Sequence, residues 1–164
     1  MRNRISIVIA VCLLSSFSFS QSISVIPQPV SVVYSKPAGY FTITPKTQFV
    51  VHGTAQENSI FFLRDYMKEY YGLTLMMWKD TPINNTINLN YERMDHPIPG
   101  AYTLEVNKNG IWLNGDNETG VFYAVQTLLQ LMPTDKTQPA KIPYMKITDY
   151  PRFEIGRASC RERV

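Results

Sequence analysis

The chain has 164 residues, of which 45% are hydrophobic and 18% are charged, and its formal net charge is +3. This length fits one ordinary domain and is too short for a complete (β/α)8 barrel, which needs roughly 250 residues. The apolar content is sufficient for a buried core, so a wholly disordered chain is excluded.

The first twenty residues have the pattern of a secretory signal peptide. A basic start from Met1 to Arg4 precedes an apolar run from Ile5 to Leu14 and a small-x-small site at Ser18-Phe19-Ser20. We therefore expect a signal peptide over 1–20, cleavage after Ser20, and export to the periplasm or out of the cell. The run is shorter than a membrane span, so we expect no stable span after cleavage. Lipid attachment at Cys12 is the alternative.

The last ten residues, 155–164, agree over ten consecutive codons with the translation of a common short-read sequencing adapter. We interpret them as foreign; a natural basic tail is the alternative. Without both terminal segments the chain has 11 basic and 12 acidic residues, a net charge of −1, and neither Cys12 nor Cys160. A nucleic-acid partner is therefore not expected, and stability must come from packing without a disulfide.

The first half of the remaining chain predicts an arm, short strands and a helix. The arm, Ile23 to Pro29, is extended and contains two prolines. Alternating runs predict strands over Val30–Tyr34, Tyr40–Ile43 and Gln48–His52. Thr54 and Glu57 form a capping box, and apolar residues recur at helical spacing until Gly72, which predicts an amphipathic helix.

The second half predicts four further strands before a second helix and one strand after it. The runs are Leu73–Trp78, Thr86–Tyr91, Ala101–Val106, Gly110–Asn114 and Ile142–Thr148. Asn109-Gly110 indicates a hairpin. The helix begins near Asn117, is capped by Asp116 or Asn117, and ends at Pro133. Its apolar face consists of Val121, Val125, Leu128 and Met132, widened by Phe122 and Leu129. We expect an α+β fold with a mainly antiparallel sheet and two helices packed on one face.

The residues themselves contain no recognisable catalytic arrangement. His52 and His96 lack the ligand spacing of a zinc site, and the expected mature chain has no cysteine nucleophile, serine elbow or phosphate-binding loop. Asp65 and Glu69 share one helical turn but lie opposite the apolar stripe, so we expect them to be solvated. We therefore predict no catalytic, metal-binding or cofactor-binding residue and no cofactor. Most aromatic residues are assigned to the core rather than to a sugar-binding surface: Tyr66, Tyr70, Tyr71, Trp78, Tyr91, Tyr102, Trp112, Phe122 and Tyr123.

Several segments resemble the N-terminal domain of family 20 glycoside hydrolases, the β-N-acetylhexosaminidases. The segments are Gly100 to Val106, Gly120 to Leu131, Ile142-Pro143, Ile147 to Phe153, and the opening Ile26-Pro27-Gln28-Pro29. The resemblance implies a zincin-like α+β domain, without zinc, over residues 21–148, and a linker over 149–154 that leads into a catalytic barrel missing from this sequence.

In that family the barrel holds an Asp-Glu pair, in which the Glu is the general acid/base and the Asp steadies the substrate's acetamido nucleophile. After Phe153 this chain departs from the family pattern, and no family catalytic residue has a counterpart in it. The resemblance thus implies a non-catalytic fragment of an exported hexosaminidase acting on terminal N-acetylhexosamines, with its own barrel and the glycan as partners. A free-standing exported carbohydrate-binding module is the alternative.

Overall fold

The computed structural model describes residues 24–52, 57–79, 84–91 and 98–152. In chain order the elements are β1 (Ser31–Tyr34), β2 (Tyr40–Thr42), β3 (Gln48–His52), α1 (Glu57–Tyr71), β4 (Met76–Lys79), β5 (Thr86–Tyr91), β6 (Tyr102–Asn107), β7 (Gly110–Gly115), α2 (Glu118–Leu131), β8 (Lys141–Pro143) and β9 (Met145–Asp149). The expected signal peptide, Thr54 of the capping box and segment 153–164 lie outside the described residues.

Seven strands form one sheet in the order β1-β9-β6-β7-β5-β3-β4, and β2 and β8 pair separately. The α+β class is confirmed, but the sheet is mixed. The pairs β1-β9, β9-β6 and β6-β7 are antiparallel, whereas β7-β5, β5-β3 and β3-β4 are parallel. The expectation of a mainly antiparallel sheet therefore holds in only one half of it.

The parallel half follows from its connections and its burial. α1 joins β3 to the parallel strand β4, since a parallel pair needs a long crossover. Strands β3 and β5 are buried along most of their length on both faces. Strands buried on both faces lose the apolar-polar alternation that distinguishes an exposed antiparallel strand.

Both helices contribute to one apolar core. Ile60, Leu63 and Met67 of α1 and Val121 and Leu128 of α2 are at most 2% exposed and join a cluster with alternate residues of the main strands. Each element thus buries one face, as the helical spacing predicts. Within the described ranges, neither helix has the length and apolarity needed to cross a bilayer.

The ends of α1 and α2 agree with the sequence signals. Gly72 has φ of +65°, and the N–H of Leu73 donates to the carbonyl of Met67 at 3.1 Å, which closes α1. Asn117 is the N-cap of α2, and Met132 is its C-cap just before Pro133. Phe122 differs from the prediction, because it is 36% exposed and does not widen the buried stripe.

The hairpin between β6 and β7 has Lys108 and Asn109 as its loop, and Gly110 already belongs to β7. A Cβ on Gly110 would overlap the carbonyl oxygen of Thr86 on the neighbouring strand. The glycine is therefore needed for the close approach of β5.

The run Ile142–Thr148 was predicted as one strand and is two. β8 pairs with β2, and β9 enters the main sheet after Tyr144. The carbonyl of Tyr144 accepts from Ser35 and its N–H donates to Gly39, so this residue bridges the two sheets. Pro143 cannot donate a ladder hydrogen bond, which favours the end of the β2-β8 pairing at this residue.

Two glycine substitutions separate steric overlap from backbone strain. We expect Gly110→Ala to lower the free energy of unfolding by about 3 kcal/mol, because backbone must move to admit the methyl group. Gly72→Ala meets no atom within 4 Å, and we expect it to cost about 1 kcal/mol through its positive φ. Urea unfolding of both variants followed by circular dichroism measures the difference. Equal costs would contradict the role assigned to Gly110.

Candidate functional site

The clearest concavity is a cleft of about 570 Å³ between the N-terminal arm, one side of α2 and the segment that follows β9. We call it the exit cleft, because the last described residues, Tyr150 to Arg152, line it. Its lining comprises Val25, Ile26, Pro27, Gln28, Gly100, Tyr102, Tyr123, Gln126, Thr127, Gln130, Asp149, Tyr150, Pro151 and Arg152.

One wall of the exit cleft is set by the start of α2. The side-chain oxygen of Asn117 accepts from the N–H of Gly120 at 2.8 Å and from that of Gly100 at 3.2 Å. Gly100 has φ of +89°, a conformation that favours glycine. The Asn117 cap therefore joins the helix to the loop before β6 and brings Gly100 beside Tyr123 and Pro151.

The floor of the cleft contains a buried hydroxyl pair next to a carboxylate. The hydroxyl oxygens of Tyr102 and Thr127 are 2.6 Å apart, and Tyr102 donates to the Oδ2 of Asp149 at 3.4 Å. Since a phenol has one proton, Thr127 must then donate to Tyr102. Burial raises the pKa of Tyr102 to about 12; the Thr127 hydrogen bond opposes this increase and the Asp149 charge adds to it. The phenol is therefore neutral at physiological pH.

The N-terminal arm is held across the cleft by side-chain to backbone hydrogen bonds. The amide of Gln130 both accepts from the N–H of Ile26 at 2.9 Å and donates to its carbonyl at 3.1 Å. Asp149 accepts from the N–H of Val30 at 3.2 Å, and Arg152 donates to the carbonyl of Gln28 at 3.3 Å. The arm, α2 and the departing chain are thus joined to one another.

The hydrogen-bonding side chains of the cleft hold neighbouring segments of backbone in place. Glycoside hydrolysis by paired carboxylates needs two of them a few ångström apart. Among the described residues that line the cleft, Asp149 is the one carboxylate. Asp149 accepts hydrogen bonds from Val30 and Tyr102, which fixes the end of β9. Among the described residues no group of three His, Cys, Asp or Glu side chains could hold a metal ion.

Exposed aromatic rings extend from the cleft over both helices. Phe61 and Phe62 of α1 and Phe122 and Tyr123 of α2 are 36–44% exposed. The rings of Phe62 and Phe122 lie 5.7 Å apart, so the two helices present one continuous patch. Tyr123 belongs to this patch and to the cleft lining. We call these four residues the helical aromatic surface.

The other residues considered in the sequence are scattered over the fold. His52 is half-buried at the end of β3, and His96 lies outside the described residues. Asp65 is exposed and accepts from its neighbour Arg64, as expected of a solvated carboxylate. The assignment of most aromatics to the core is wrong. Of the nine, Tyr102 alone is fully buried; Trp78, Tyr91, Phe122 and Tyr123 are exposed, and Tyr66, Tyr70, Tyr71 and Trp112 are intermediate.

Sequence reasoning from residue types missed the roles of Gln130 and Asp149. Gln130 lies off the apolar stripe of α2, and Asp149 is a single acid after a strand, so neither forms a pattern with its sequence neighbours. Their partners lie 104 and 119 residues away along the chain. The available signal was their position inside the two segments that resemble a known family.

Comparisons with known proteins agree with this fold and with the resemblance. The family described as "Glycosyl hydrolase family 20, domain 2" matches residues 22–150. A beta-hexosaminidase from Porphyromonas gingivalis (strain ATCC BAA-308 / W83) is 28% identical over 145 residues, which cover 82% of this chain and 18% of the relative. The chain thus spans less than a fifth of that curated relative's length.

Solved structures show the same fold. The GH20 β-N-acetylhexosaminidase from Streptomyces coelicolor A3(2) superposes with a TM-score of 0.69 at 24% identity, over 79% of this chain and 26% of that one. The β-N-acetylhexosaminidase from Bacteroides fragilis NCTC 9343 superposes with a TM-score of 0.61 at 20% identity, over 78% and 25%. The matched part is about a quarter of each enzyme.

The buried phenol predicts a loss of stability at alkaline pH. The unfolded chain ionises Tyr102 near its ordinary pKa of 10.0 and the folded chain only near 12. This contribution to the free energy of unfolding is therefore intact below pH 10 and is lost as the pH rises to about 12. We expect Tyr102→Phe to make urea-unfolding stability less dependent on pH in this range.

Tyr150→Phe, which removes a hydroxyl from an exposed ring of the same cleft, is the matched control and should keep the original dependence. Burial also raises the pKa of Tyr34 and of Tyr71, so the Tyr102 variant should retain part of the slope. An unchanged slope in Tyr102→Phe would contradict the prediction.

Proposed function

Since the chain belongs to the family of glycosyl hydrolase family 20, domain 2, we propose that it is the non-catalytic domain preceding the barrel of an exported β-N-acetylhexosaminidase. The whole enzyme would remove terminal N-acetylglucosamine or N-acetylgalactosamine from glycans. The general acid/base and the group that orients the substrate's acetamide would both come from the barrel. The domain's own task would be to hold that barrel.

The observation that carries the proposal is the position of the helical aromatic surface beside the chain's exit. Four partly exposed rings continue into the exit cleft through Tyr123, and Arg152, the last described residue, also lines that cleft. A contiguous apolar patch of this kind is typical of a surface that another domain covers. A barrel that follows the linker over 149–154 would meet this surface first.

The hydrogen bonds around the exit support a fixed orientation for the following domain. Arg152 holds the segment after β9 to the arm at Gln28, and Gln130 holds the arm to α2 at Ile26. Asp149, the last residue of β9, accepts a hydrogen bond from the N–H of Val30 just before that segment begins. A linker held at several points transmits the orientation of one domain to the next better than a free chain does.

The proposal predicts an inactive chain and a longer reading frame. We expect the purified chain to release no chromophore from a chromogenic N-acetylglucosaminide above a blank without protein, with the Streptomyces coelicolor enzyme as positive control. Long-read sequencing of the source DNA should continue the frame past the Glu154 codon into a barrel with an adjacent Asp-Glu pair, and the protein expressed from that frame should be active. Turnover by the chain alone, or a genuine stop codon after Val164, would contradict the proposal.

The proposal also includes export through residues 1–20. Expression in a bacterial host with a periplasm should yield a processed protein whose first residue is Gln21, because cleavage follows the small-x-small site. Replacing Leu13 and Leu14 by Arg in the apolar run should block processing and leave the precursor in the cytoplasm. Fractionation followed by N-terminal sequencing measures both outcomes. A fatty-acylated protein beginning at Cys12 would instead support the lipoprotein alternative.

A further inference from the structure

The face of the seven-stranded sheet opposite the core carries a cross-strand row that contains both tryptophans of the chain. The strand register aligns neighbouring side chains in the order Lys146, Glu105, Trp112, Asn88, Val50 and Trp78. The residues that alternate with them, such as Leu104, Leu113 and Ile87, are fully buried in the core. The row therefore belongs to the other face, which we call the tryptophan face.

The next row on the same face consists of four hydroxyl and amide side chains, followed by His52 opposite Asn90. Thr148 lies opposite Thr103, Thr103 opposite Asn114, and Asn114 opposite Asn90. All four are partly exposed. Asn114 donates to the hydroxyl of Thr103 at 3.4 Å, a long bond for such a pair. Amides and hydroxyls of this kind both donate and accept hydrogen bonds.

In the part of the row from Trp112 to Trp78, the two tryptophans are the accessible residues. Trp78 is 46% exposed and Trp112 is partly exposed, whereas Asn88 and Val50 between them are 5% and 1% exposed. The two tryptophans are separated by three strand spacings, about 14 Å. Two accessible tryptophans thus flank two buried residues, and the partly exposed Asn114, Asn90 and His52 lie in the next row beside them.

Charge and chemistry together select the class of ligand. The two formal charges of the tryptophan row, on Glu105 and Lys146, are opposite in sign and adjacent. The parallel row contains no Lys, Arg, Asp or Glu; its members are Thr148, Thr103, Asn114, Asn90 and His52. A nucleic acid requires a basic surface, and a bilayer requires a contiguous apolar one. A sugar chain is neutral, with rings that stack on aromatic faces through their C–H groups and hydroxyls that match amides.

We propose that the tryptophan face binds a neutral glycan chain, with Trp112 and Trp78 stacking on two of its sugar rings. Asn114 and Asn90 are the hydrogen-bonding partners beside the stretch between them, and Thr103 lies beyond Trp112 on β6. The site is on the side of the sheet away from the helical aromatic surface and uses none of the exit-cleft residues. It therefore does not depend on the function proposed above, and either can fail without the other.

The chain contains two tryptophans, both on this face, so intrinsic tryptophan fluorescence reports on it directly. Titration of the full chain with chitohexaose and with cellohexaose should change the emission saturably for at least one of them. A response to chitohexaose alone would show that the site recognises acetamido groups. A response to both would show that it recognises the sugar rings that the two ligands share. No emission change and no calorimetric heat with either, or binding of heparin alone, would overturn the proposal.

Single variants test which face is used. Trp78→Thr and Trp112→Thr keep a residue suited to a strand and should each weaken calorimetric binding about tenfold, the order expected for loss of one aromatic contact. Phe62→Thr, which removes a comparably exposed ring from the opposite side, should leave affinity unchanged. Thermal unfolding identifies variants that have lost the fold. If Trp112→Thr does not fold, Trp78→Thr decides the test, because Trp78 is exposed on edge strand β4. Folded tryptophan variants with unchanged affinity would overturn the proposal.

Discussion

The close packing of the start of α2 on the β6-β7 hairpin is the constraint on which the rest of the domain depends. A Cβ on Gly115 would overlap the backbone of Val121, and one on Gly120 would overlap the carbonyl of Ala101. Because neither glycine has a side chain, the backbone of the helix can contact the backbone of the sheet. Asn117 then caps the helix and binds Gly100 in the same step. Because the helix is held there, Thr127 reaches Tyr102 and Gln130 reaches the arm, so the exit cleft is a consequence of this packing.

The mixed sheet gives the domain two surfaces of different chemistry. On the core side, alternate residues such as Leu104 and Ile147 pack under the helices and leave a few aromatic rings exposed on the outer helical surface. On the other side, the antiparallel half presents Thr103, Asn114 and their neighbours. One strand supplies both surfaces because successive side chains point to opposite faces. A substitution on one face can therefore leave the chemistry of the other intact.

Local signals in the sequence predicted the elements well and their partners poorly. Gln48–His52, Thr86–Tyr91 and the cap at Asn117 follow from alternation and capping chemistry, which act between near neighbours. β5 pairs in parallel with β7, the second strand of the hairpin, and β6 lies on the other side of β7. No hydrophobic periodicity encodes this strand order. The break at Tyr144 depends on Ser35 and Gly39, more than 100 residues earlier. The exposure of the aromatics was missed for the same reason: helical spacing shows which residues share a face but not whether another element covers it.

The separation of the two surfaces bears on how such a domain could serve an enzyme. Tyr123 and Phe62 lie on the helices, whereas Trp112 projects from the far side of the sheet that those helices cover. A barrel seated on the helical aromatic surface would thus leave the tryptophan face accessible to a polymer. A glycan held there would raise its local concentration near the barrel without competing for the catalytic cleft, an effect that requires only a fixed linker. The hydrogen bonds of Arg152 and Asp149 at the exit supply that fixed geometry.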